Sequence, residues 1–124
     1  MSLLGISAEM TPARIVSAPL SRSELALIAS EQFGDMVKAV VDVEREIMAL
    51  GGELHSDEEA LLLDDGSAQR NLWGVNLYPS AAEADWIEYD SMINVRPSQG
   101  NRSRNVEDGA LRATIRQILT RLVK

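Results

Sequence analysis

The stretch Asp35–Gly52, DMVKAVVDVEREIMALGG, governs how the rest of the chain is read. Met36, Val40, Val43, Ile47 and Leu50 recur at steps of four and three, and Val37, Val41 and Met48 widen the stripe. That is the spacing of an amphipathic helix. Asp35 is a competent N-cap and Gly51-Gly52 a terminator, so the spacing predicts a core helix over 36–50. Glu44 falls on the margin of the apolar face, and Asp42 is placed to pair with Lys38 or Arg45 on the solvent side.

Upstream, Ser21-Arg22-Ser23-Glu24 is a capping box with Leu20 and Leu25 at the staple positions. It predicts a helix over 22–33 with Leu25, Ile28, Ala29 and Phe33 near one face and Gly34 as its C′ residue. Residues 1–19, broken by Pro12 and Pro19, read as a mobile leader with room for one edge strand around 13–16. Downstream, Glu53-Leu54-His55 and Glu59–Leu63 read as short strands around the acidic Ser56-Asp57-Glu58. Asp64-Asp65-Gly66-Ser67 is turn chemistry, and 71–78 alternates as a strand. A last helix over about 107–123 carries Leu111, Ile115, Ile118, Leu119 and Leu122 on one stripe. Strands grouped between helices predict an α+β domain over 20–124. The expected form is a mainly antiparallel sheet of three to four strands, with two N-terminal helices and one C-terminal helix on one face.

The chain has 124 residues, one domain's worth, with 45% hydrophobic and 25% charged residues. It has no cysteine, so disulfides, thiolate metal sites and thiol nucleophiles are excluded. The net charge of −7 and a pI near 4.6 argue against general DNA coating or a membrane surface. No apolar run reaches the roughly 18 residues a spanning helix needs. The start MSLLGISAEM lacks the basic residues and apolar run of a signal peptide, which makes the cytoplasm the expected setting.

Function is sought in Trp86–Arg104, WIEYDSMINVRPSQGNRSR. Through Arg96 it alternates as a long strand, with Ile87, Tyr89, Ser91, Ile93 and Val95 on one side and Trp86, Glu88, Asp90, Met92, Asn94 and Arg96 on the other. It then enters a loop holding Arg102 and Arg104 and no acid. Guanidinium groups match carboxylate or phosphate, and Gly100, Ser98 and Ser103 let backbone N–H groups approach an anion. Arg96, Asn101, Arg102 and Arg104 are therefore the expected ligands, with Asn94 orienting them. The competing reading pairs these arginines with the chain's own acids at 57–59 and 64–65.

Secondary candidates are His55 among carboxylates, the pair Glu88 and Asp90 with Asn76 on a neighbouring strand, and Trp86 as a stacking surface. Each has an ordinary alternative: a solvated turn, an outward strand face, and core packing. One histidine and no cysteine leave no zinc set, and neither a catalytic residue, a metal nor a cofactor is implied.

The run EQFGDMVKAVVDVEREIMALGGELHSDEEALLL, with NLWGVNLYP and INVRPSQGNRSR, resembles the small bacterial proteins grouped as domain-of-unknown-function family 5674. The resemblance spans roughly Leu20 to Val123 and implies no activity. The residues alone lead to a non-catalytic binding domain that takes an anionic group, such as an anionic small molecule or nucleotide, on the arginine loop. A small phosphoester-acting enzyme, and an interaction or homo-oligomerisation module with Trp86 and Met92 on its surface, are the alternatives.

Overall fold

The computed structural model describes residues 13–124. The leader expected at 1–19 lies, up to residue 12, outside the described residues. From Arg14 to Val16 the chain forms β1, an edge strand paired with β3. Helix α1, Arg22–Glu31, starts at the expected capping box: Ser21 Oγ accepts from Glu24 N at 3.0 Å, and Glu24 Oε1 accepts from Ser21 N at 3.0 Å.

The predicted helix over 36–50 is instead a hairpin of β2, Val37–Asp42, and β3, Ile47–Leu50. β2 lies in the middle of the sheet, order β1-β3-β2-β4-β5, and is buried on both faces. A doubly buried strand is a continuous apolar run, so its periodicity imitates a buried helix, and only the β-branched Val37, Val40, Val41 and Val43 argue otherwise. Asp42 closes the hairpin, its Oδ1 accepting from Glu44 N and Arg45 N at 2.9 Å each. Glu46 completes the reversal at φ +58°.

Where short strands are expected at 53–55 and 59–63, a single helix, α2, runs over His55–Asp64. The strand at 71–78 is present as β4, Leu72–Leu77, antiparallel to β2. The long strand from Trp86 is reduced to β5, Ile87–Glu88, after which the chain winds through two 3-10 turns, Met92–Asn94 and Pro97–Gln99. Helix α3, Gly109–Leu122, begins where Asp108 Oδ1 accepts from Ala110 N at 2.9 Å.

The fold is thus α+β around an antiparallel sheet, with five strands rather than three or four and helices on both faces. Leu25 and Ala29 of α1 and Ile115, Ile118, Leu119 and Leu122 of α3 bury Val37, Ala39, Val41, Met48, Trp73 and Val75. The residues between these on the strands, Val40, Ala49 and Leu72, meet Leu62 of α2 on the opposite face. The expected second N-terminal helix does not exist, and α2 covers only part of its face.

Candidate functional site

Because β5 pairs with β4 only at Asn76↔Glu88 and Leu77↔Ile87, most of the outer edge of β4 has no strand beside it. Side chains close it instead. Asn94, fully buried, accepts from Gly74 N at 2.8 Å through Oδ1 and donates to Gly74 O at 3.0 Å through Nδ2, as a neighbouring peptide would. Arg96 donates to Gln69 O at 2.6 Å and to Leu72 O, with its guanidinium 4.0 Å from the centroid of the Trp73 ring. Asn101, also buried, donates to the carbonyls of Asn94, Ser103 and Asn105 and accepts from Glu107 N, which folds the loop on itself. Three of the five expected anion ligands are therefore committed to internal hydrogen bonds.

Arg102 is exposed, with its backbone N–H on Glu107 Oε2 at 3.1 Å. Arg104 Nε donates to Asp90 Oδ1 at 2.7 Å. None of Arg96, Arg102 and Arg104 makes an ion pair with the acids at 57–59 or 64–65; Arg45 takes Asp65, at 2.7 Å. The five residues do not converge. Trp86 is 1% exposed in the core under α1, with the Arg22 guanidinium 4.2 Å from its ring centroid, so it offers no stacking surface.

Arg104 and His55 meet elsewhere, in a cleft of about 190 Å³ on the α2 face of the sheet. Its polar lining is Lys38, His55, Ser56, Ser91 and Arg104; Leu54, Met92 and Ile93 supply apolar surface. Two cations line it and no carboxylate does. Leu54, the N-cap of α2, provides no side-chain cap, so the first turn of the helix opens onto the cleft with its positive end.

His55 Nε2 lies 2.8 Å from Val75 O and must carry the proton toward that carbonyl, which leaves Nδ1 as an acceptor. Burial holds the imidazole below its ordinary pKa, against the bond to Val75. Next to the cleft, the register sets Lys38, Asn76 and Glu88 side by side on adjacent strands. Asn76 Nδ2 donates to Glu88 Oε1 at 2.9 Å and to Asp90 O at 3.3 Å, and Tyr78 OH donates to the same Glu88 oxygen at 3.1 Å. Asn76 Oδ1 is buried with no hydrogen-bond partner.

Glu58, read from the sequence only as one of the acids at 57–59, has a different setting in the structure. Glu58, one turn after His55 on α2, is fully buried; Oε2 accepts from Gly52 N at 2.9 Å and Oε1 has no partner. Burial pushes its carboxyl up to about 9, against the Gly52 hydrogen bond and nearby Lys38, so it is neutral at pH 7. The signal was the spacing His55-x-x-Glu58, which becomes one helix face only once the segment is helical. Among the described residues no group of three or more His, Asp or Glu is arranged to hold a metal ion. No helix there is long and apolar enough to cross a membrane.

The structure is a small antiparallel α+β fold with a largely apolar cleft, edged by Lys38 and Arg104, on the α2 face of the sheet. The family model described as a protein of unknown function (DUF5674) matches residues 14–122, and the chain belongs to that family. No curated protein and no solved structure matches it.

Proposed function

We propose that this domain binds a small anionic ligand, carboxylate or phosphate, without transforming it, in the cleft between the α2 N-terminus and residues 91–104. The observation that carries the reading is the lining: Lys38 and Arg104, the latter also paired with Asp90 at 2.7 Å, are brought together from distant parts of a chain of net charge −7. The uncapped α2 N-terminus adds oriented N–H groups and a positive dipole end. The anion site thus moves from the arginine loop to the cleft, and Arg104 is the member of the loop that it keeps. The cytoplasmic, bacterial setting implied by composition and resemblance belongs to the same reading. A phosphoester-acting enzyme has His55 and Arg104 in one cleft in its favour, but Glu88 and Asp90 are already engaged by Asn76, Tyr78 and Arg104.

Thermal melts with increasing inorganic phosphate and acetate test the proposal, since a ligand of the native state stabilises by mass action. The expected result is a concentration-dependent rise in Tm that Lys38→Ala abolishes, Arg104→Ala weakens and Arg102→Ala leaves intact. Equal behaviour of wild type, Lys38→Ala and Arg104→Ala would refute it.

A further inference from the structure

Resting on the anion reading of the cleft, we propose that its ligand is a short aliphatic monocarboxylic acid of about six carbons. Its carboxylate meets Lys38 and Arg104, and its alkyl chain lies on Ile93, Leu54 and Met92. Lys38 is the starting point. Its half-buried side chain lines the cleft and makes no hydrogen bond or ion pair among the described residues. Its Nζ lies over the Phe33 ring, 5.4 Å from the centroid. An ammonium held against apolar surface without a counter-charge gains from an anion that reaches it. Arg104 engages only Nε with Asp90, at 2.7 Å, and its two terminal nitrogens have no partner among the described residues. With Asp90 offsetting Arg104, the cleft is left with little more than the Lys38 charge, which a monoanion balances better than a phosphate dianion.

The tail is read from the rest of the lining. Leu54 is 57% and Met92 66% exposed, and Ile93 joins them half-buried, so the cleft presents apolar surface to water. A hydrocarbon chain laid there removes that surface from water, a gain that neither acetate nor phosphate can make. The volume sets the length. A cavity of about 150 Å³ takes one benzene, so the cleft of about 190 Å³ takes roughly eight heavy atoms, the size of hexanoate. It is too small for a nucleotide, since drug-sized ligands need roughly 300–1,000 Å³.

His55, the chain's one histidine, lines the same cleft and makes the test local. Burial, Lys38 and Arg104 lower its pKa, while the Val75 hydrogen bond and Asp90 raise it. A carboxylate bound between the two cations should therefore raise it further. NMR titration of the His55 ring protons in the full chain, with hexanoate, acetate, inorganic phosphate and 1-hexanol, reads site and affinity together. Hexanoate should bind roughly tenfold or more tighter than acetate or 1-hexanol, and should raise the His55 pKa. Met92→Gln, a change at the surface, should bring hexanoate most of the way to acetate while leaving acetate unchanged. Hexanoate and acetate binding alike to wild type would overturn the aliphatic inference and leave the anion site standing. Phosphate binding without hexanoate would do the same. 1-Hexanol equalling hexanoate, or no movement of His55 with any ligand, would overturn both. The ligand series on wild type decides the matter even if Met92→Gln folds poorly.

Discussion

Glu58→Gln should remove the loss of stability that rising pH imposes on the wild type. The wild-type carboxyl is fully buried against Gly52 and pushed by that burial up to about 9, from an ordinary value of 4.5. Its folded pKa is raised, so its contribution is fully present below the unfolded value and is lost as pH rises toward the folded one. Between those limits the native state holds a proton that the unfolded chain releases. Stability should then fall by somewhat more than about 1 kcal/mol per pH unit, an upper bound of roughly 3 kcal/mol between pH 5 and pH 7. Glutamine has the shape of the neutral acid, can accept from Gly52 N, and has no proton to lose. Urea unfolding of both proteins at pH 5, 6, 7 and 8 reads the difference directly. The variant should gain on wild type by a margin that widens with pH. His55 does not confuse the comparison: its pKa is lowered, its contribution is present above 6.5 and lost as pH falls, and it acts in both proteins. A gap between the two proteins that stays constant from pH 5 to pH 8 would refute the assignment of a buried, neutral Glu58.

Gly74→Ala should destabilise by about 1–3 kcal/mol in the same assay, because the added Cβ would lie 2.5 Å from Ser91 Cβ and 2.6 Å from Ser91 Oγ. Asn94→Ala should cost about 2–5 kcal/mol, since it leaves Gly74 N–H and Gly74 C=O without partners and removes one of the two hydrogen bonds to Arg104 C=O. Hydrogen exchange at Gly74 should rise in Asn94→Ala even under strongly native conditions.

The elements visible in the sequence are those whose local chemistry and packing agree. The capping box at Ser21, the α3 stripe from Leu111 to Leu122 and the alternation of β4 each point to one structure. α2 was missed because its three buried positions are His55, Glu58 and Leu62, at helical spacing but two-thirds polar. A stripe of that kind has no hydrophobic periodicity to detect, and the three adjacent leucines at 61–63 suggested a strand instead. The β2–β3 hairpin was missed for the opposite reason, because both faces of β2 are apolar. Lys38 could not be seen as a site residue while it stood on the solvent side of an expected helix. Only the register Lys38↔Asn76 brings it to Asn76.

The polar residues after β5 looked like a binding loop because amides and guanidinium groups suit anions and peptide edges equally well. A backbone edge presents carbonyls and N–H groups in alternation, and a carboxamide or a guanidinium fork satisfies them as readily as it would a phosphate. Which target wins depends on where β5 ends. It stops at Glu88, so the edge of β4 from Leu72 to Gly74 must be finished by Asn94 and Arg96. After the same early stop the chain turns at Asp90, and Ser91, Met92, Ile93 and Arg104 line the cleft together with Lys38 and the start of α2. The two residue sets are therefore separable by experiment. Changes at Asn94, Arg96 or Asn101 should appear as lost stability, whereas changes at Lys38 or Arg104 should appear as lost ligand binding in a protein that remains folded.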